Sequence, residues 1–238
     1  MSEIKSLEPF SNVLQRAEAR KGSREILFEM AGSHFTPEEI AKIPDDRWLA
    51  SFTKQIFQSG FVWRVVEQKW PDFEEVFFGF DIEKMLMMPD EMWEAKCQDA
   101  RIIRNGKKVM TIKDNAQMIY EVSQDHGSFG QFIANWPCDD IINLWAFLKK
   151  HGARLGGNTG PYALRFLGKD SFLISQDNEA YFRAHKLIEG GITSKRNQTA
   201  IQNYFNQWHQ ETGYSYRQLS RILSFSVGDN VVGISAGD

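Results

Sequence analysis

Cysteine is nearly missing from this chain: 238 residues carry two, Cys97 and Cys138. No Cys-x-x-Cys pair occurs, so the sequence argues against a disulfide framework and predicts neither a zinc site nor an iron–sulfur cluster. Long apolar runs are missing too. Nowhere do about eighteen apolar residues follow one another, and the opening stretch Met1 to Phe10 has no apolar core. Neither a membrane span nor a signal peptide is expected, and a cytoplasmic location fits. Period-two alternation never lasts beyond four or five residues, which leaves β architecture without its sequence signal. No repeat and no low-complexity segment stands out. A strong net charge is also lacking, the formal value being −3. Its distribution is uneven: residues 1–99 hold 12 Lys and Arg against 19 Asp and Glu, and residues 100–221 hold 16 against 10. An acidic chain can thus still present a basic face.

What is present is helical pattern and aromatic bulk. Aromatics make up 13% of the residues, with seven Trp and eighteen Phe, enough for a real core in one large domain or two small lobes. Helices are expected over 9–21, from Thr36-Pro37-Glu38-Glu39 (a capping box with proline at the first helical position), and over 45–59 up to Gly60. Shorter ones are expected over 63–69, 72–77, 82–87 and 91–97, then a long one over 106–125. Residues 129–136, 140–150, 160–167, 176–189, 197–212 and 215–226 complete an all-α fold. The expected layout is one unit over 1–226 made of two helical lobes. Helices 9–42 would return to pack with 176–226, around a central lobe of about 45–150 and a hairpin at 155–168. Residues 227–238 read as a flexible tail.

One stretch organises the rest. Leu155 to Asp177 reads L-G-G-N-T-G-P-Y-A-L-R-F-L-G-K-D-S-F-L-I-S-Q-D, a glycine-rich corner at Gly157, Thr159 and Gly160 before a short helix. Backbone N–H groups at such a corner can hold an anion. Ser175 then caps a further helix and puts Asp177 in its first turn. On spacing alone the corner reads as a plain turn and Asp177 as a partner of the helix dipole. Upstream, Gly60 breaks a helix between Gln55 and Trp63 and throws Phe61 and Trp63 to either side of a turn. Composition alone reads those two aromatics as core.

The glycine corner, short helix and F-L-x-x-x-D together resemble the helix-hairpin-helix DNA glycosylases, including their alkylbase glycosylase II branch. Gln58, Gly60 and Trp63, then Phe80-Asp81, then Asp99, Ala100, Ile102, Ile103, Arg104, Lys108, Asn115 and Ala116, keep the order and spacing of the 3-methyladenine DNA glycosylase I family. The corner Gly157-x-Thr159-x-x-Tyr162 is similar to that family's as well. The resemblance implies a base-flipping enzyme acting on double-stranded DNA that carries alkylated bases, most simply 3-methyladenine, as a monomer, with no cofactor and no membrane partner. It implies Gln55 and Trp63 in the base pocket, Gly60 and Phe61 as the wedge, and Gly157, Thr159 and Gly160 on a DNA phosphate. Glycosylase I members usually lack a catalytic Asp, and it is the resemblance to the wider helix-hairpin-helix superfamily that implies Asp177 as the catalytic carboxylate.

Three departures shape the expectation. The family's pocket glutamate, three residues before the Gln of Q-x-G, is Gln55 here, which keeps hydrogen bonding and gives up charge. The family's structural zinc ligands near the termini have no counterpart, so no metal is expected. Bifunctional relatives carry a lysine in the hairpin where this chain has Pro161, so base removal without strand cleavage is expected. Lys169 and Lys195 read as phosphate contacts or plain surface. Two rival readings are a non-catalytic binder of damaged or distorted DNA and an all-α interaction protein with no nucleic-acid partner.

Overall fold

Helix boundaries in this chain are set by capping chemistry. Thr36 Oγ1 accepts from the Glu39 amide at 3.3 Å while Glu39 Oε2 accepts from the Thr36 amide at 2.7 Å, so both halves of the capping box form. Ser175 and Ser215 cap two later helices by accepting from the amides of Asn178 and Gln218. The structure is a computed structural model and describes residues 7–227. Among the described residues it holds helices and 3-10 turns and no strand. The tail expected from residue 228 onward lies outside them.

In chain order the α-helices are α1 (Phe10–Lys21), α2 (Arg24–Ala31), α3 (Pro37–Ala41), α4 (Asp45–Gln58), α5 (Trp63–Val76), α6 (Ile82–Met87) and α7 (Asp90–Gln98). Then follow α8 (Gly106–His126), α9 (Phe129–Asn135), α10 (Ile141–His151), α11 (Thr159–Phe166), α12 (Gln176–Ala184), α13 (Lys195–Thr212) and α14 (Tyr216–Phe225). Three of these depart from the sequence reading. α2, capped by Ser23, was not foreseen. Residues 63–69 and 72–77 are one helix, α5, which runs through Pro71. Proline removes one N–H and crowds the carbonyl four residues back, which ordinarily ends a helix. Here Val66, Phe73 and Val76 bury one continuous face and hold both halves on one axis. Third, α12 stops at Ala184 rather than 189, where Lys186 takes a left-handed φ of 54°.

The chain divides into two compact units. One comprises the described parts of Met1–His34, Cys138–Ile142 and Asp170–Asp238. Its core is aromatic: Phe172 stacks on Phe205 at 4.5 Å, and Phe182, Trp208 and Tyr181 close around them. The N-terminal segment is tied in by Glu8, whose carboxylate accepts from Arg16 and from the Tyr181 hydroxyl at 2.7 Å. Each aromatic this deeply buried contributes about 1.5–3 kcal/mol of burial free energy.

The other unit comprises Phe35–Pro137 and Asn143–Lys169 and contains α3 to α9 and α11. Trp48 and Phe52, on the apolar face of α4, meet Phe129 at 5.6 and 5.7 Å, and Phe57 meets Phe73 at 4.7 Å. Phe73, Phe77, Phe80 and Trp93 continue the stack. Asp45, in the first turn of α4, accepts from the Phe129 amide at 2.8 Å and from the Ser123 hydroxyl, fixing α4 against the α8–α9 junction. No helix among the described residues is long and apolar enough to cross a membrane.

Candidate active site

The turn at Gly60 is built by a buried lysine. At the end of α4 the carbonyls of Ile56 and Phe57, and that of the following Ser59, lack helical partners. Lys108 Nζ, on a side chain only 6% exposed, donates to Ile56 O at 2.6 Å, Phe57 O at 3.3 Å and Ser59 O at 2.5 Å. A cation at a helix C-terminus also complements the helix dipole. Burial pulls this ammonium below the ordinary lysine range, and the Arg154 guanidinium nearby acts in the same direction. Above the capped end the chain reverses at Gly60, whose φ of +86° suits glycine. Phe61, Val62 and Trp63 are thereby 37, 67 and 49% exposed, so the reading of these aromatics as core fails. The Phe61 ring sits 4.6 Å from Lys108 Nζ, so one ammonium holds both the helix end and the aromatic beyond it.

Two turns further along α8, Asn115 does the same for the hairpin. Fully buried, it donates from Nδ2 to Ala153 O at 3.1 Å and accepts from the Ala153 amide at 2.8 Å. Residue 153 is thus clamped four positions before Gly157, the first residue of the glycine corner. In the corner itself Gly157 takes φ +61°. The Thr159 and Gly160 amides donate back to Gly156 O at 3.4 Å and Leu155 O at 3.2 Å. Among the described residues the corner therefore leaves the amides of Gly156, Gly157 and Asn158 open. Gly160 is required by close approach, since a Cβ there would lie 2.5 Å from Leu155 O and 3.2 Å from Leu148 Cδ1. Gly160→Ala is accordingly expected to destabilise the protein by about 1–3 kcal/mol, although Gly→Ala inside a helix ordinarily stabilises. A denaturant titration decides the sign, and a gain would mean that the corner has slack.

A cavity of about 570 Å³ opens on α4 and α5. Gln55 and Gln58 form one wall, Trp63, Glu67, Trp70 and Glu74 another, and Phe166 and Leu167 at the end of α11 a third. The hairpin and the cavity wall are therefore the two ends of one helix, about 12 Å long at 1.5 Å per residue. Gln55 and Trp63, both anticipated, meet in this cavity; Phe61 is not part of its lining. Gln55 is only 8% exposed, and its Nε2 donates to Gln58 Oε1 at 2.8 Å. Gln58 Nε2 in turn donates to Glu67 Oε1 at 2.9 Å, and Lys54 Nζ lies 2.7 Å from Glu67 Oε2. Glu74 holds Arg47 through both oxygens, at 2.9 and 3.0 Å, and accepts from Trp70 Nε1 at 3.1 Å.

Lys54, Glu67, Trp70 and Glu74 escaped the sequence reading. Trp63, Glu67, Trp70 and Glu74 are spaced 4, 3 and 4 apart, the signal of one helix face, but only if the helix is carried through Pro71.

Asp177 belongs to the other unit, at the second position of α12, where it is half-buried. The Ser224 hydroxyl lies 3.5 Å from its Oδ2, at the limit of a hydrogen bond. Lys169 is neither a phosphate contact nor plain surface: 4% exposed, it caps α9 by donating to Ile133 O at 2.9 Å and Trp136 O at 2.5 Å. Among the described residues no group of three His, Cys, Asp or Glu could hold a metal ion.

The methyladenine glycosylase family model matches residues 38–155. Among solved structures the chain is similar to a 3-methyladenine DNA glycosylase I from Staphylococcus aureus, at 21% identity and a TM-score of 0.47, covering 62% of this chain and 87% of that one. A second 3-methyladenine DNA glycosylase I gives 22% and 0.46, covering 62% and 88%. A third, a variant in complex with 3-methyladenine, gives 19% and 0.43, covering 71% and 91%. No curated protein matches.

Proposed function

Because the chain belongs to the methyladenine glycosylase family over residues 38–155, we propose that it is a monofunctional DNA glycosylase. It would hydrolyse the N-glycosidic bond of alkylated purines in double-stranded DNA, 3-methyladenine first among them. One observation carries this reading. A single face of α8, through Lys108 and Asn115, holds both the exposed aromatic turn at Phe61 and the approach to the glycine corner. A base-extruding protein needs those two devices at a fixed spacing.

The chemistry follows from what an intact duplex hides. The damaged nucleotide must leave the stack, at a cost of a few kcal/mol. Phe61 would fill the gap left in the stack and keep the duplex kinked. The open amides of the corner would grip a phosphate, and Trp63 would stack on the extruded base, worth roughly 1–3 kcal/mol. Breaking the bond leaves an oxocarbenium-like sugar. Asp177 would stabilise that charge and orient the attacking water. A cationic leaving base needs little acid assistance. With Pro161 in the hairpin there is no amine to attack the sugar, so the strand is expected to stay whole.

The test is a duplex carrying one alkylated purine, run on a denaturing gel before and after hot alkali. Breaks that appear only after alkali support hydrolysis without lyase action; breaks without alkali contradict it. The second reading, a damage binder without turnover, is favoured by Gln55 standing where the family has a glutamate and by its amide being engaged with Gln58. Retention of the duplex with no alkali-labile site would select it.

A further inference from the structure

The cavity described above already holds a cation. Lys54 Nζ stands 5.2 Å from the centroid of the Trp70 ring, within reach of its π face. The same ammonium is 2.7 Å from Glu67 Oε2. Both partners line the cavity, and both are open to solvent, Lys54 with 28% and Glu67 with 51% of the side chain exposed. An exposed ion pair of this kind contributes little and exchanges readily. Glu67 is also aimed from behind, since Gln58 Nε2 donates to its other oxygen at 2.9 Å, and Gln58 is itself fixed by Gln55. Glu74, the other carboxylate in the lining, is committed to a bidentate pair with Arg47.

We infer that Glu67 and Trp70 form the subsite for the positive charge of an alkylated base, and that Lys54 occupies this subsite in the empty protein and is displaced by the base. The inference rests on the base-pocket reading and deepens it. A purine cation has the two features that hold Lys54 there: positive charge for the carboxylate and an electron-poor face for the indole. The amide chain Gln55–Gln58–Glu67 then hands to Glu67 the charge-pairing role that position 55, being an amide, cannot perform. Lys54 acts as an internal competitor and makes the empty pocket selective against weakly held cations. A neutral purine gains nothing from displacing it. It would stack and hydrogen-bond elsewhere in the cavity without meeting Glu67.

The test uses two probes that differ by one methyl group and one charge: neutral 9-methyladenine and the 3,9-dimethyladeninium cation, titrated by calorimetry into the full chain. Lys54→Met, which keeps the aliphatic stem, should tighten the cation by about tenfold and leave the neutral probe within about twofold, the range expected for removing a like charge near a partly exposed site. Glu67→Gln, which is isosteric, should weaken the cation by about tenfold and again spare the neutral probe. If both probes bind but neither variant changes their ratio, the subsite is elsewhere and the inference falls while the pocket reading stands. If neither probe binds the wild-type protein or either variant, the pocket reading falls and takes the inference with it.

Discussion

Asp177→Asn is expected to lower base release from methylated DNA by about 10³-fold, with affinity for the duplex changed by less than about threefold. Asparagine keeps the shape and loses the charge. The first turn of α12 is fixed independently of that charge, by the Ser175 hydroxyl on the Asn178 amide at 3.2 Å and by Asn178 Nδ2 on Leu173 O at 2.7 Å. The variant should therefore fold normally, and a fall in turnover can be assigned to the missing carboxylate. Single-turnover release measured beside duplex binding separates chemistry from affinity. Full activity in Asp177→Asn would remove the residue from the mechanism and turn attention to Gln55.

Lys108→Met should cost stability and turnover together. Removing the ammonium leaves the carbonyls of Ile56, Phe57 and Ser59 without their donor, and each abandoned acceptor costs about 1–3 kcal/mol when water cannot reach it. The variant recovers the desolvation cost of burying a charge, so a net loss of about 3 kcal/mol is expected, which lowers the melting temperature by about 6–12 °C in a chain of this size. Because the same ammonium underlies Phe61, base release should also fall, by about tenfold. A thermal melt run beside the release assay reads both effects. An unchanged melt would mean that the α4 end is capped by something else.

These two residues also mark how far the sequence could be read. The all-α fold was legible in hydrophobic spacing and capping residues, and Thr36, Ser175 and Ser215 cap where cap chemistry allows. Lys108 and Asn115 were visible only as letters shared with a family. Their work, holding a helix end and a loop more than fifty and about forty residues away in sequence, depends on tertiary contacts that no local pattern encodes. Lys169 was misread for the same reason: a lysine looks like surface until a buried helix end needs a donor. The cavity's charged wall was lost through a single local rule. Treating Pro71 as a helix stop split α5 and separated Glu67 from Trp70 and Glu74. The burial of Val66, Phe73 and Val76 overrides that stop. The aromatic turn failed in the opposite direction, because composition puts Phe61 and Trp63 in the core, while Lys108 and the left-handed Gly60 hold them out.

The proposed reaction detaches alkylated purines from duplex DNA. Chromatography of the small molecules released from N-methylated duplex tests it most directly. Free methylated purine, 3-methyladenine first, should grow with time and enzyme while the strands stay uncut. Duplex that is bound yet yields no free base at enzyme excess would contradict it.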